Sequence, residues 1–195
     1  MRFTHAVLGA SASCLVLMSS SLMAQSTAPA GSSASKAPAA TASKASVELS
    51  AGDKRFLENT AQSGYSEVEG SKLALEKTKS PKIRAYAQRM IKDHGVMQKD
   101  LEALAKRKGY ELPTEPSLAQ RAQLKALGAL SGTEFEKMYS SHIAIAGHDN
   151  TVLAFQNATT QTEDKDVQAF AKKHIGMLRD HLDGARQIGP TDHGM

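Results

Sequence analysis

Four stretches of this chain repeat apolar residues every three or four positions, and nowhere does a sustained period of two appear. That pattern turns one face of a helix inward and supplies no sheet. Leu57, Ala61, Gly64, Val68 and Leu75 mark a first helix, which Ser50 or Asp53 can cap. Ser80-Pro81 closes it and opens a second, with the stripe Ile83, Ala87, Met90, His94, Met97, Leu101 and Leu104. Lys106, Arg107 and Lys108 suit the C-terminus of that helix, and Gly109 stops it. Pro113 and Pro116 interrupt a connection over 110–132, where residues 117–130 can form a short helix. A third long helix begins at Ser131 or Thr133 and runs to about Thr160. A fourth begins at Asp164 or Asp166, runs to about Ile188 and carries Val167, Phe170, His174, Leu178, His181 and Ala185 on one stripe.

Short turns at 79–81 and 161–165 make two antiparallel hairpins, and the long connection can carry the chain along the bundle between them. The expected fold is all-α: a ferritin-like antiparallel four-helix bundle with a long crossover carrying a short helix. Ile83-Arg84-Ala85-Tyr86-Ala87 matches Val167-Gln168-Ala169-Phe170-Ala171 in register, a weak internal repeat of structure. The third helix contains a phase break. Phe135, Tyr139 and His142 define one stripe; His148, Val152, Phe155 and Thr159 define another, rotated by roughly 100°, or one residue. One extra residue wound as a π-bulge between about 142 and 148 would return both sets to the core.

The first 46 residues have a different texture. Arg2 and a 13-residue stretch rich in apolar and small residues, 6–18, read as a secretory signal over 1–24, with cleavage after Ala24. A retained anchor and a lipid on Cys14 are the alternatives, but Ser11-Ala12-Ser13 lacks the large aliphatic residue expected before a lipidated cysteine. Residues 25–46 consist of Ala, Ser, Thr, Pro, Gly and Lys after the leading Gln, and read as a disordered linker. The folded domain is then 47–195, periplasmic and without cysteine, which excludes disulfides, thiol nucleophiles and zinc–thiolate sites. Arg2, Lys36 and Lys44 precede it and no acid does, so it holds 21 basic and 20 acidic residues. That near balance gives no nucleic-acid footprint. Lys77, Lys79, Lys82 and Arg84 cluster near one turn, read as a solvated end or a contact for anionic envelope polymers.

Phe56-Leu57, Gly64, Glu67-Val68, Gly70 and Leu73-Ala74, then Ala87, Met90 and Asp93-His94, resemble an exported bacterial ferritin-like family, domain of unknown function 4142. Phe135, Tyr139, His148, Val152, Phe155, Phe170, Leu178 and His181-Leu182 extend the resemblance over roughly 50–188. It implies export and a ferritin-like bundle and supplies no established activity. His174-Ile175-Gly176 departs from a proline often found there in the family.

Histidines carry the chemical signal, because several lie on apolar stripes, and buried ionisable groups need partners. Glu67 and His94 each lie roughly 20 Å from the first turn at 1.5 Å per residue, and His148 and His181 roughly 22–27 Å from the second. In helices of roughly 42 Å, all four fall near mid-height, one per helix. They are the candidate metal ligands; His142 and His174 are secondary candidates. A ferritin-type di-iron site would need Glu-x-x-His on two helices, but Ile91 and Leu178 stand three before His94 and His181. Met90, Met97 and Met177 near these histidines either fill gaps in the core or favour copper(I).

Two functional readings follow. The first is a non-enzymatic exported protein, a cell-envelope or interaction component, whose polar layer fixes helix register. The alternative is a metal-binding or metal-dependent redox protein using a mononuclear transition-metal ion, with copper one option, in that layer. Partner and oligomeric state are left open by the sequence.

Overall fold

The structure is a computed structural model and describes residues 48–189. The expected signal peptide (1–24) and the linker (25–46) lie outside the described residues. Within them the chain is all-helical, with no strand. The first helix, α1 (Ala51–Lys77), is capped by Ser50, whose Oγ accepts from the Asp53 backbone N–H. Ser80 caps α2 (Pro81–Lys108), with Pro81 at the first helical position, where its missing N–H costs nothing. Gly109 ends α2 at φ 64°, a left-handed conformation that suits a residue without Cβ. The short α3 (Leu118–Ala129) starts with a reciprocal capping box between Ser117 and Gln120.

The third long rod is composite. It runs as α4 (Gly132–Met138), a π-helical segment (Tyr139–Ala146) and α5 (Gly147–Gln161). The expected extra residue is therefore present, but earlier and spread over more turns than a single bulge at 142–148. The last helix, α6 (Lys165–Ile188), begins at Asp164, whose side chain accepts from the backbone N–H groups of Asp166 and Val167.

Cross-helix contacts fix the directions. Glu67 meets His94 and Tyr110 meets Glu58, so α1 and α2 run oppositely. Lys108 reaches Asp164 while Asp93 meets His181, so α2 and α6 are also antiparallel. Thr162 bonds Asp53 and Tyr139 bonds Ser71, so the composite rod opposes α1. Asp149 pairs with Arg186, and Phe155 packs on Phe170, so it opposes α6 as well. The result is a square of four antiparallel neighbours. It requires the connection after α2 to return along the bundle, and α3 lies against α1 on that path.

The core is split into two apolar clusters. One contains Leu57, Met97, Leu101, Phe155, Phe170 and Leu178; the other contains Met90, Leu127, Phe135, Tyr139 and Ile143. Along α1, α2 and the composite rod, the boundary between the clusters falls at Glu67, His94 and His148. On α6 it falls near His181, just before Ala185 joins the second cluster. A polar layer thus interrupts an otherwise apolar interior.

Candidate metal centre

Each of the four long rods contributes one side chain to the layer. Glu67 is 4% exposed, His94 and His148 1%, and His181 0%. The three imidazoles surround a common point, with ring centroids 5.2–5.4 Å apart. One nitrogen from each ring lies within 4.8 Å of the others, so a small inward adjustment of the rings would let them share one ion at bonds of about 2.0–2.1 Å. Glu67 closes the group: its Oε2 is 2.9 Å from His94 Nε2 and 3.7 Å from His148 Nε2.

The outer contacts decide which nitrogen each ring presents. His148 Nδ1–H donates to the Ala144 carbonyl at 2.8 Å, leaving Nε2 as a lone pair facing His94 Nε2 at 3.4 Å. The π winding supplies that carbonyl, which also accepts the Gly147 N–H. His181 Nε2–H donates to Asp93 Oδ2 at 3.0 Å, leaving Nδ1 buried and without a partner. Arg89 anchors Asp93 in turn at 3.3 Å. A carboxylate or carbonyl behind an imidazole is the usual outer support of a metal-ligating histidine. His94 Nδ1 and both oxygens of Glu67 also lack a directed hydrogen bond; Oε2 is close to His94 but off its N–H direction.

Such orphaned buried groups are costly in a finished polar network, at about 1–3 kcal/mol each. A cation among them would satisfy several at once.

Comparisons with known proteins bear on the fold. The family model described as "Domain of unknown function (DUF4142)" matches residues 38–188. This chain belongs to the DUF4142 family. A crystal structure of a DUF305 fragment from Deinococcus radiodurans is similar in fold, with TM-score 0.63 and 15% identity over 73% of this chain and 97% of that one. No curated protein matches the sequence.

Electrostatics in this DUF4142 layer follow from burial. Burial would push the Glu67 carboxyl up, but the charges of His148, His94 and His181 outweigh it and hold the group at about 2. The layer therefore contains a carboxylate. Burial pushes His181 down to about 4, against its hydrogen bond to Asp93 and with the help of His94, His148 and Arg89. Burial also lowers His148, although Glu67 opposes the shift. Neutral imidazoles are metal ligands; imidazolium ions are not.

Of the sequence candidates, Glu67, His94, His148 and His181 converge. His174 does not join them: it is buried one layer away, its Nε2 3.0 Å from Asp100 Oδ2, beside Phe170. His142 corrects the expected third-helix stripe. It is exposed, as is Ala146, and its Nδ1 lies 2.8 Å from Ser141 Oγ. The π segment winds more slowly than an α-helix, so Ile143 follows Tyr139 into the core instead. Thr159 also yields its expected core place to Ala158. Asp93 was missed as a functional residue, because its neighbour His94 lies about 100° away on the same helix. Its partner proves to be on α6, and only the crossing of α2 and α6 brings them together. No dinuclear carboxylate cage fits here, since Ile91 and Leu178 occupy the positions three before His94 and His181.

Proposed function

We propose that this protein binds one divalent first-row transition-metal ion through His94, His148 and His181, with Glu67 as a fourth ligand or counter-charge. The single observation that carries this reading is the triad of buried imidazoles with nitrogens within 4.8 Å, two of them oriented from behind by Asp93 and the Ala144 carbonyl. Three nitrogens and an oxygen suit zinc, copper(II), nickel or iron better than magnesium or calcium, which prefer all-oxygen shells. The bundle supplies four long rods, and its donor set is that of a mononuclear centre.

The location we propose is the periplasm, reached by the signal at 1–24. Among the described residues no helix is long and apolar enough to cross a membrane. A second reading is the non-enzymatic envelope or interaction protein with a purely structural layer. It is favoured by Asp93 and Glu67, which already lie against two of the imidazoles.

Thermal unfolding separates the two. The protein is purified without a histidine tag, stripped with chelator and titrated with Zn²⁺, Cu²⁺, Ni²⁺ and Fe²⁺. At a hundredfold excess over its dissociation constant, a bound ion adds about 2.7 kcal/mol, raising the Tm by roughly 10 °C for a domain of this size. His148→Ala and His181→Ala abolish that rise. If no ion shifts the Tm, the layer is structural and the metal reading fails.

A further inference from the structure

The three histidines are sealed from water, so an ion needs a way in. Resting on the metal reading above, we propose that the pocket beside Glu67 is the port through which the ion reaches and leaves the triad. In this arrangement His142 is a capture ligand at the rim and Glu67 is the carrier at the floor. The pocket has a volume of about 270 Å³ and lies between α1, α3 and the π segment. Glu67 lines it, whereas none of the three histidines does.

The Glu67 carboxylate spans the boundary. Its Oε2 faces His94 and His148, while its Oε1 lies on the side of Gly147, 3.3 Å from where a Cβ at that position would sit. Gly147 itself lines the pocket, so the missing side chain leaves the carboxylate room on that side. Both oxygens are buried and without a directed hydrogen bond; Oε2 lies against the imidazoles of His94 and His148, which leaves Oε1 on the pocket side for an incoming cation.

The walls have the right chemistry for a desolvating cation. Ser63, Ser66, Gln123 and Asn150 offer neutral oxygens, and no Lys or Arg lines the pocket. Glu67 is its sole acidic side chain, so the field along the pocket points a cation toward the floor. His142 supplies an exposed imidazole at the same opening. Its Nδ1 is engaged with Ser141 Oγ, which leaves Nε2 for an ion. The winding that carries His142 out of the core is thus also what sets it on the rim.

Cobalt(II) tests the port, because its visible absorption reports binding in real time. Stopped-flow mixing with the full chain, stripped with chelator, gives the association rate; chelator chase gives dissociation. His142→Ala lowers both rates by about tenfold and leaves the dissociation constant within about twofold, because a ligand used only in passage alters the barrier and not the end states. Ala146→Trp, which places an indole on an exposed position of the same lining, has the same effect on both rates. Variants that load and unload at the wild-type rate overturn the port while leaving the metal centre intact. A weakened dissociation constant with an unchanged association rate also overturns it, since His142 would then be supporting the resident site. If the wild-type chain takes up no cobalt, the metal reading falls with it.

Discussion

Gly70 lets α1 approach the π segment, and alanine at this position measures how tightly the two are fitted. An added Cβ would sit 2.9 Å from Ile143 Cγ2, with Ile143 Cγ1 and Leu124 Cδ2 each at 3.5 Å. Contact at 2.9 Å is too close, and Ile143 is β-branched with little rotamer freedom. Overpacking of this kind costs about 1–3 kcal/mol, against a gain of about 1 kcal/mol from replacing glycine inside a helix. Gly70→Ala should therefore destabilise the fold by about 1 kcal/mol. Gly176→Ala is the control: its Cβ meets nothing within 4 Å, and only the gain of about 1 kcal/mol remains. In an Ile143→Ala background the obstruction is gone, and Gly70→Ala should change sign and stabilise. Urea unfolding followed by circular dichroism reads all three, with midpoints compared at constant m. A coupling energy of about 1–3 kcal/mol is expected from the double-mutant cycle. The reasoning is refuted if Gly70→Ala stabilises as much as Gly176→Ala, or if the cycle is additive.

Three further outcomes follow from the layer and its frame. Asp93→Asn removes the carboxylate behind His181 and should weaken metal affinity by about 10–100-fold, measured by calorimetry; unchanged affinity would remove Asp93 from the site. Without metal, stability should fall as pH drops from about 6.5 to about 4. Across that window the unfolded chain protonates His181 and the folded one does not, a difference of about 3 kcal/mol when complete. Glu67, held at about 2, loses its contribution in the same direction below about pH 4.5. A flat urea midpoint between pH 7 and pH 4 would show that burial does not penalise the His181 cation. Asp164→Ala removes a cap that serves two backbone N–H groups and a 2.7 Å partner of Lys108; it should cost about 2 kcal/mol in unfolding measurements.

Much of the bundle was legible because helix ends and faces are local properties. Ser50, Ser80-Pro81, Gly109 and Asp164 stand where the helices begin and end, since caps satisfy backbone groups within three or four residues of themselves. The phase break in the third rod was also readable, because Phe135 and Phe155 both had to face inward. Its position was readable only in part: the π winding overlaps the expected 142–148 but begins three residues earlier, at Tyr139. The core places Ile143 opposite Gly70, and that packing across helices fixes the π winding at 139–146 and turns His142 outward.

The same division runs through the site. Spacing along each helix set the height of Glu67, His94, His148 and His181, because every residue adds a fixed rise. It could not give the roles of the atoms. His181 presents Nδ1 because Asp93 arrives from α2, and His148 presents Nε2 because the π turn offers the Ala144 carbonyl. Those contacts join residues through interhelical packing and altered winding, and neither has a period in the sequence. The sequence by itself determined four helices and a shared level for their polar residues; the tertiary structure decided which nitrogens face one another and where the pocket opens.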